Sequence, residues 1–346
     1  MAYTDIDDPS AYFTTLLYTG NGADDRALVN DGNSDLQPDW IWFKERNSTS
    51  VHQWLNSSTG VNKALTSSDD GAEETYAYLS SFDSNGFTFD QSDGSTNESS
   101  NTFVAWQWKC NGGTTETAVD ESGNNPANVR QTNTTAGFSI ITYTGTGAAG
   151  TIAHGLGAAP DLIINKKRSA SGDWDIYYGD NTDYLTLNAN SGTADNADRW
   201  NDTSPTSSVF TLGSGANSNQ DGATFVSYCF RSIQGYSKIG SYVGNGNANG
   251  AFVYTGFKPA WVMCKSTAST SDWYIYDNKR EGYNKDNDHL LANSAAVEAT
   301  ADEIDMLSNG FKLRIATDPN VAEAYIYMAF AEHPFVSSKG VPTTAR

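Results

Sequence analysis

Pro38-Asp39-Trp40-Ile41-Trp42-Phe43-Lys44 is a proline-led apolar run that ends on a lysine. The same frame returns as Pro160-Asp161-Leu162-Ile163-Ile164-Asn165-Lys166 and as Pro259-Ala260-Trp261-Val262-Met263-Cys264-Lys265. Proline lacks a backbone N–H and suits the start of a strand, and the aromatic and β-branched residues behind it favour a pleated surface. Further landmarks surround each copy. Upstream stand Tyr18-Thr19-Gly20, Tyr143-Thr144-Gly145 and Tyr242-Val243-Gly244. Downstream a tryptophan follows, at Trp54, Trp174 and Trp273. Then come the triplets Phe87-Thr88-Phe89, Phe210-Thr211-Leu212 and Phe311-Lys312-Leu313. Each copy closes on an aromatic strand: Phe103-Val104-Ala105-Trp106, Phe225-Val226-Ser227-Tyr228 and Tyr325-Ile326-Tyr327-Met328. From the proline to the first aromatic of that strand is 65, 65 and 66 residues. The intervening loops differ freely while the totals hardly change, which marks an internal repeat.

Each unit is about 100 residues, longer than the 20–50-residue period of a solenoid. The reading is therefore an all-β chain of three tandem homologous antiparallel β-sandwich (jelly-roll-like) domains with one short helix each. The expected limits are 1–113, 137–234 and 235–336, with a linker at 114–136 and a tail at 337–346. The helices are placed at 69–79, 194–200 and 295–307, the same position in every unit; Asp69-Asp70 can cap the first. The linker is rich in Gly, Asn, Thr, Asp and Glu and should run extended and exposed, leaving the first domain offset from a fixed second and third pair.

The chain has 346 residues, with 41 acidic and 21 basic side chains and a net charge of −20. Nucleic acid requires a basic surface, and the densest basic run, Lys166-Lys167-Arg168, is short. No apolar run reaches the roughly 20 residues of a membrane span. The acidic start, residues 1–10, lacks the features of a signal peptide. Aromatic residues make up 12% of the chain, so its modest hydrophobicity does not signal disorder. Cys110, Cys229 and Cys264 form no zinc spacing; the last two lie in apolar runs, as buried thiols do, while Cys110 ends one and is the candidate for exposure.

No catalytic constellation is legible. The four histidines, His52, His154, His289 and His333, do not recur at equivalent places. Gly145-Thr146-Gly147-Ala148-Ala149-Gly150 mimics a dinucleotide loop but lacks the following helix, so it reads as a turn between strands. Carboxylates gather in turn-like settings such as Asp31-Gly32-Asn33-Ser34-Asp35. A glycosidase pair among them stays open as an alternative. Structural calcium is a second alternative, at Asp286-Asn287-Asp288 or Asp5-Ile6-Asp7-Asp8, neither of which fits an EF-hand loop. No catalytic, cofactor or metal residue is assigned. Weak ligand-binding candidates are the aromatics without counterparts in the other copies, Tyr76, Tyr78, Trp200 and Tyr283, read as exposed.

Asp8-Pro9-Ser10-Ala11-Tyr12-Phe13, Gln37-Pro38-Asp39-Trp40-Ile41-Trp42 and Ser81-Phe82-Asp83-Ser84-Asn85-Gly86-Phe87 resemble segments of tail-fibre-like virion proteins of marine bacteriophages. So do Phe103-Val104-Ala105-Trp106, Gly256-Phe257-Lys258-Pro259-Ala260-Trp261-Val262 and residues 325–332. The likeness runs over residues 8–336, and the second copy departs from it at Leu162 and Ser208-Val209. It implies a structural protein exposed on a phage particle, a tail fibre or appendage attaching to a host surface. It also implies a homo-oligomer, with three copies favoured, and contacts to other virion proteins and to a host glycan or protein. A capsid decoration protein and a tail-spike depolymerase are the alternatives.

Overall fold

The computed structural model describes residues 2–91, 93–117, 123–281, 284 and 288–343. Repeat one comprises a 3-10 turn at Pro9–Ala11, then β1 (Phe13–Thr19), β2 (Ala27–Val29), β3 (Trp40–Glu45), β4 (Gln53–Asn56), β5 (Lys63–Leu65), β6 (Glu74–Thr75), β7 (Leu79–Asp83), β8 (Gly86–Phe89) and β9 (Thr102–Trp108). Two strands follow, β10 (Glu116–Thr117) and β11 (Asn128–Asn133). Repeat two holds β12 (Phe138–Thr144), β13 (Gly150–Ala153), β14 (Leu162–Lys167), β15 (Trp174–Tyr177), β16 (Asp183–Thr186), β17 (Ala194–Asp195), α1 (Ala197–Trp200), β18 (Val209–Leu212), α2 (Ala216–Asn219) and β19 (Thr224–Phe230). Repeat three holds β20 (Ser237–Val243), β21 (Phe252–Tyr254), β22 (Phe257–Ser266), β23 (Tyr274–Asp277), β24 (Leu290–Leu291), β25 (Ile304–Leu307), β26 (Gly310–Leu313) and β27 (Ala324–Pro334).

The chain is all-β, and its strands pair antiparallel throughout. Each repeat builds a large sheet of one order: β1-β9-β3-β4-β5, β12-β19-β14-β15-β16 and β20-β27-β22-β23-β24. A small sheet covers one face of each: β2-β8-β7, β13-β18 and β21-β26-β25. The proline-led strand lies at the middle of every large sheet. In β22 the proline, Pro259, coincides with a shift of register, as its missing N–H requires.

Alternation along the middle strands separates two cores. Ile41 and Phe43, Ile163, and Val262 and Cys264 face the small sheets and fill three satellite cores, one per repeat. Trp40 and Trp42, Leu162 and Ile164, and Trp261 and Met263 face the other way, into one core shared by all three repeats. Both faces are buried, which is why these strands read as near-continuous apolar runs. All nine tryptophans are buried, and eight of them lie in the shared core, with Trp200 the exception. Trp40 stacks on Trp108 with centroids 4.1 Å apart and touches Tyr228 of repeat two at 5.0 Å. Trp54 meets Trp174 at 4.6 Å, and Trp108 meets Trp261 at 5.6 Å.

The repeats close into a ring through equivalent hydrogen bonds. Lys44 Nζ reaches Ala295 O of repeat three at 3.5 Å. Lys166 Nζ donates to Asp70 O of repeat one at 3.0 Å, and Lys265 Nζ to Asn190 O of repeat two at 3.2 Å. The same three carbonyls accept the backbone N–H of Ser50, Gly172 and Ser271. Beside each lysine a ring nitrogen makes a second bridge. Trp174 Nε1 donates to Thr66 O and Trp273 Nε1 to Thr186 O, both at 2.9 Å. In repeat one the ring in this place is His52, whose Nε2 lies 3.0 Å from Leu291 O. Trp42 Nε1 donates to His52 Nδ1 at 2.7 Å, so Nδ1 is the acceptor and Nε2 carries the proton. Trp54, aligned with Trp174 and Trp273 in the sequence reading, lies two residues further on. The distance from the proline is 14 residues to His52, Trp174 and Trp273 alike, but 16 to Trp54.

A polar clasp recurs at one end of each large sheet. Tyr18, Tyr143 and Tyr242 stack on Phe103, Phe225 and Tyr325, with centroids 5.2, 5.0 and 5.0 Å apart. Their hydroxyls donate to Thr96 O, Ser218 O and Pro319 O, the residues before Asn97, Asn219 and Asn320. Each of these buried asparagines accepts from the loop behind the tyrosine, through Asn21 N, Thr146 N and Asn245 N. Gly20, Gly145 and Gly244 are required by this clasp: a Cβ there would come within 2.0, 2.3 and 2.0 Å of a carbonyl oxygen.

Four expectations are corrected. Residues 116–117 and 128–133 of the linker are not a free tether, because β11 extends the large sheet of repeat two at β12. Repeat one is not offset, since its tryptophans fill the shared core. Among the described residues the α-helices fall in repeat two alone, α1 within the expected stretch and α2 after it. At 69–79 and 295–307 the backbone bonds to the neighbouring repeat instead: Glu73 N to Arg168 O and Glu298 N to Arg46 O. Cys110 is buried, with its thiol against Phe138 O.

Burial pushes Lys44, Lys166 and Lys265 down to about 8. Below that pH the folded chain carries a buried charge that the unfolded chain, with a lysine near 10.4, holds in water. The unfolded state therefore binds more protons between these values, and stability rises with pH there. Relative to Lys166→Met, the wild type should gain at most about 1.4 kcal/mol per pH unit from about pH 8 to about pH 10. Urea titrations of both proteins at several pH values check this; a constant difference contradicts it.

Candidate functional site at the junction of repeats one and three

A cleft of about 240 Å³ opens where the ring joins repeat three to repeat one. Its wall from repeat one is β1, through Phe13, Thr14 and Thr15, with the 31–33 loop above it. Its wall from repeat three comes from Ala260, from Asn278 and Lys279 after β23, and from Ala331–His333 of β27. The β1 wall is positioned by full pairing with β9, from Phe13↔Trp108 to Thr19↔Thr102. Asp8 holds the loop: it accepts from Ser10 N and Ser34 Oγ, and Ser34 N donates to Ser10 Oγ. Hydrogen bonding from those serines keeps the Asp8 carboxyl low against the opposing effect of burial, the largest single influence on it.

Behind the cleft a charged network locks the two repeats. Arg280, with no exposed side-chain surface, donates to Asp277 Oδ2 at 2.7 Å, Glu298 Oε2 at 2.8 Å and Ile275 O at 2.9 Å. Arg46 of repeat one adds a two-pronged contact to the same Glu298. Trp106 Nε1 of repeat one donates to Asp277 Oδ2 at 3.0 Å. Burial works to raise the Glu298 carboxyl, but the two arginines hold it below the usual range. The mouth carries weaker pairs, Lys279 with Asp31 at 3.2 Å and Lys258 with Glu332 at 2.6 Å. A second cluster in repeat three sets Glu303 between the Tyr276 hydroxyl and His289 Nδ1, the latter at 2.9 Å.

The histidines are mostly structural. His52 is engaged at both nitrogens, and burial depresses its pKa well below the usual value. His154 accepts from Leu156 N at Nδ1 and lies 3.1 Å from Thr206 O at Nε2. His333 stands at the mouth of the cleft, partly exposed. Burial pushes Asp175 up to about 7 despite Arg199, 3.1 Å away and delivered by α1. Asp288 is pushed up to about 6 by burial and by Glu298 and Glu281. Among the described residues no three His, Cys, Asp or Glu side chains gather in a metal-holding group. The cleft itself offers amide, hydroxyl, ammonium and carboxylate groups for hydrogen bonding.

The aromatics singled out in the sequence are not brought together. Tyr78 is buried in the satellite core of repeat one, in edge contact with the partly exposed Tyr76. Trp200 is buried against Tyr177 in repeat two. Burial corrects the exposed reading of both: α1 turns Trp200 inward, and the Tyr78 ring closes the repeat-one sandwich. Tyr283 and Asp286-Asn287 lie outside the described residues. Of the other calcium candidate, Asp7 accepts from Ser338 N, Ile6 is in the shared core, and Asp8 holds the loop. Phe252 and Tyr254 of β21 are about half exposed and were not anticipated. Their signal was the alternation Phe252-Val253-Tyr254, in which only Val253 is buried. The cleft residues Thr15, Asn278 and Lys279 carry no sequence signal, since two repeats distant in the chain bring them together.

Arg280→Met should lower stability by about 3–5 kcal/mol, because it strands Asp277 as a buried charge without a cationic partner and leaves Glu298 with Arg46 alone. Lys279→Met, which loses an exposed pair, should cost less than about 1 kcal/mol. Chemical denaturation of the two variants checks the contrast; similar losses contradict it.

No curated protein matches the chain. A family model described as a domain of unknown function, DUF7483, matches residues 8–334, from the turn that precedes β1 to the last residue of β27. The match takes in all three repeats and the cleft between the first and the last, and the chain accordingly belongs to the DUF7483 family.

Proposed function

We propose that this protein is a structural and binding component of a phage particle, a tail fibre or tail appendage that contributes to attachment at a host surface. The observation that best supports a structural role is where the strong chemical groups lie. The nine tryptophans, the three repeat lysines and Arg280 are buried, most of them where one repeat meets another. The polar loops and sheet edges that remain outside suit contact with partners. The phage assignment itself rests on the resemblance of residues 8–336 to tail-fibre-like virion proteins.

In this reading the protein acts without catalysing a reaction. Attachment is multivalent: weak contacts repeated over several subunits combine through effective concentration. The chain forms a homo-oligomer, with three copies favoured, and joins other virion proteins at one end. Its acidic surface suits a solvated particle and disfavours nucleic acid.

Antibody raised against the purified chain should decorate the tail of intact virions in electron micrographs. Label spread over the head would make it a capsid decoration protein, and absence of label from virions would overturn the reading. Light scattering at micromolar concentration should give about three times 37.3 kDa; a single 37.3 kDa species argues against the oligomer.

A further inference from the structure

The outer strand of each large sheet, β1, β12 or β20, has one edge turned away from its sheet. The three edges are treated differently. In repeat two β11 pairs along β12, from Asn128↔Tyr143 to Asn133↔Phe138. In repeat three Ile233 bridges the start of β20 at Ser237. In repeat one β1 pairs with β9 alone among the described residues, and its free side faces the cleft.

The cleft occupies the place that Gln131 of β11 fills one junction earlier. Strand pairing sets the equivalence: Trp40↔Asn56 corresponds to Trp261↔Asp277, so Ser57 and Ser58 correspond to Asn278 and Lys279. Tyr18↔Phe103 corresponds to Tyr143↔Phe225, so Thr15 corresponds to Ile140, the residue opposite Gln131. Gln131 is fully buried; it donates to Ser57 Oγ at 2.8 Å and Ser58 Oγ at 2.6 Å and accepts from Asn111 N at 3.3 Å. Between repeats one and three nothing of the described chain takes that position. Thr15 Oγ1 is buried there without a hydrogen-bond partner. Buried hydroxyls are nearly always satisfied.

The chain's own start covers one end of this place and then leaves it. Ser10 packs against Gly32 much as Thr132 packs against Gly155. Residues before it turn away to repeat three and the tail behind it: Tyr3 Oη donates to Gly256 O at 2.6 Å, and Asp7 accepts from Ser338 N at 2.6 Å.

We propose that β1 and the cleft beside it accept an extended strand from a partner polypeptide, antiparallel to β1, with a side-chain amide opposite Thr15. The partner's backbone completes the β1 edge, as in strand addition generally. Its amide satisfies Thr15 and meets Asn278 and Lys279, as Gln131 meets Ser57 and Ser58. The preferred segment is polar around that amide, like Asn128-Val129-Arg130-Gln131-Thr132-Asn133.

A fluorescent peptide with the sequence of residues 126–134 provides the probe, added to the full chain and followed by anisotropy and hydrogen exchange. The expected result is saturable binding with slowed exchange in β1 and no change in β12 or β20. Thr15→Arg in the chain, which fills the cleft, should abolish binding. Gln131→Leu in the peptide should weaken it at least tenfold, and so should Asn278→Leu in the chain, which keeps the assay decisive if Thr15→Arg does not fold. Absence of binding at millimolar peptide, binding unaffected by these changes, or protection at β12 or β20 instead of β1 would overturn the proposal. Protection of β1 that grows with protein concentration alone would assign the site to a second copy and overturn the partner assignment.

Discussion

The architecture depends on burying both faces of three middle strands at once. A sheet with one apolar face is satisfied by a single covering layer. β3, β14 and β22 are apolar on both, and the small sheets cover only one side of each. The second side finds its cover in the other two repeats, so three large sheets converge on one aromatic core. Burial of a large aromatic removes roughly 150–250 Å² from water, and eight tryptophans meet in that core. Repeat one supplies five of them, Trp40, Trp42, Trp54, Trp106 and Trp108, which makes it the chief contributor rather than an appendage of the other two.

Apolar contact is non-directional and does not by itself fix how three sheets turn against each other. The polar bridges at the junctions supply direction. Each repeat lysine, with its neighbouring ring nitrogen, reads the carbonyls of the adjacent repeat in the same sense: one to three, two to one, three to two. A buried lysine is costly, and its ordinary pKa is not retained. Its three donors tie carbonyls from two repeats to one point, which an apolar side chain cannot do. The Arg280 network adds a charged lock at the junction of repeats one and three.

Much of this was legible in the sequence, and the rest was hidden for physical reasons. The proline-led strands, the closing strands and the Tyr-x-Gly starts all carry side chains that the fold uses in every copy. The all-β character followed from them directly. What the residues could not display was that the apolar faces meet each other, because alternation reports which side is buried and not by what. β11 was missed because a polar strand can be ordered through its backbone and through Gln131, without any apolar pattern. Asn97, Asn219 and Asn320 were missed although they precede the closing aromatics by 6, 6 and 5 residues, since asparagine is common in this chain's loops. His52 was set aside as unmatched because its counterparts are tryptophans; the shared feature is a ring nitrogen at one position, and not a residue type. The cleft depends on Thr15 and Lys279, 264 residues apart in the chain, and only ring closure joins them.

A shared core has a consequence that independent sandwiches would lack: the repeats must unfold together. Hydrogen exchange followed by mass spectrometry across a urea titration reports β3, β14 and β22 separately in one sample. A common core predicts one midpoint and one slope for the three strands, and a parallel shift of all three when Trp174 is replaced by alanine. Separate midpoints, or a Trp174→Ala change confined to β14 and its own sheet, would contradict the closed ring.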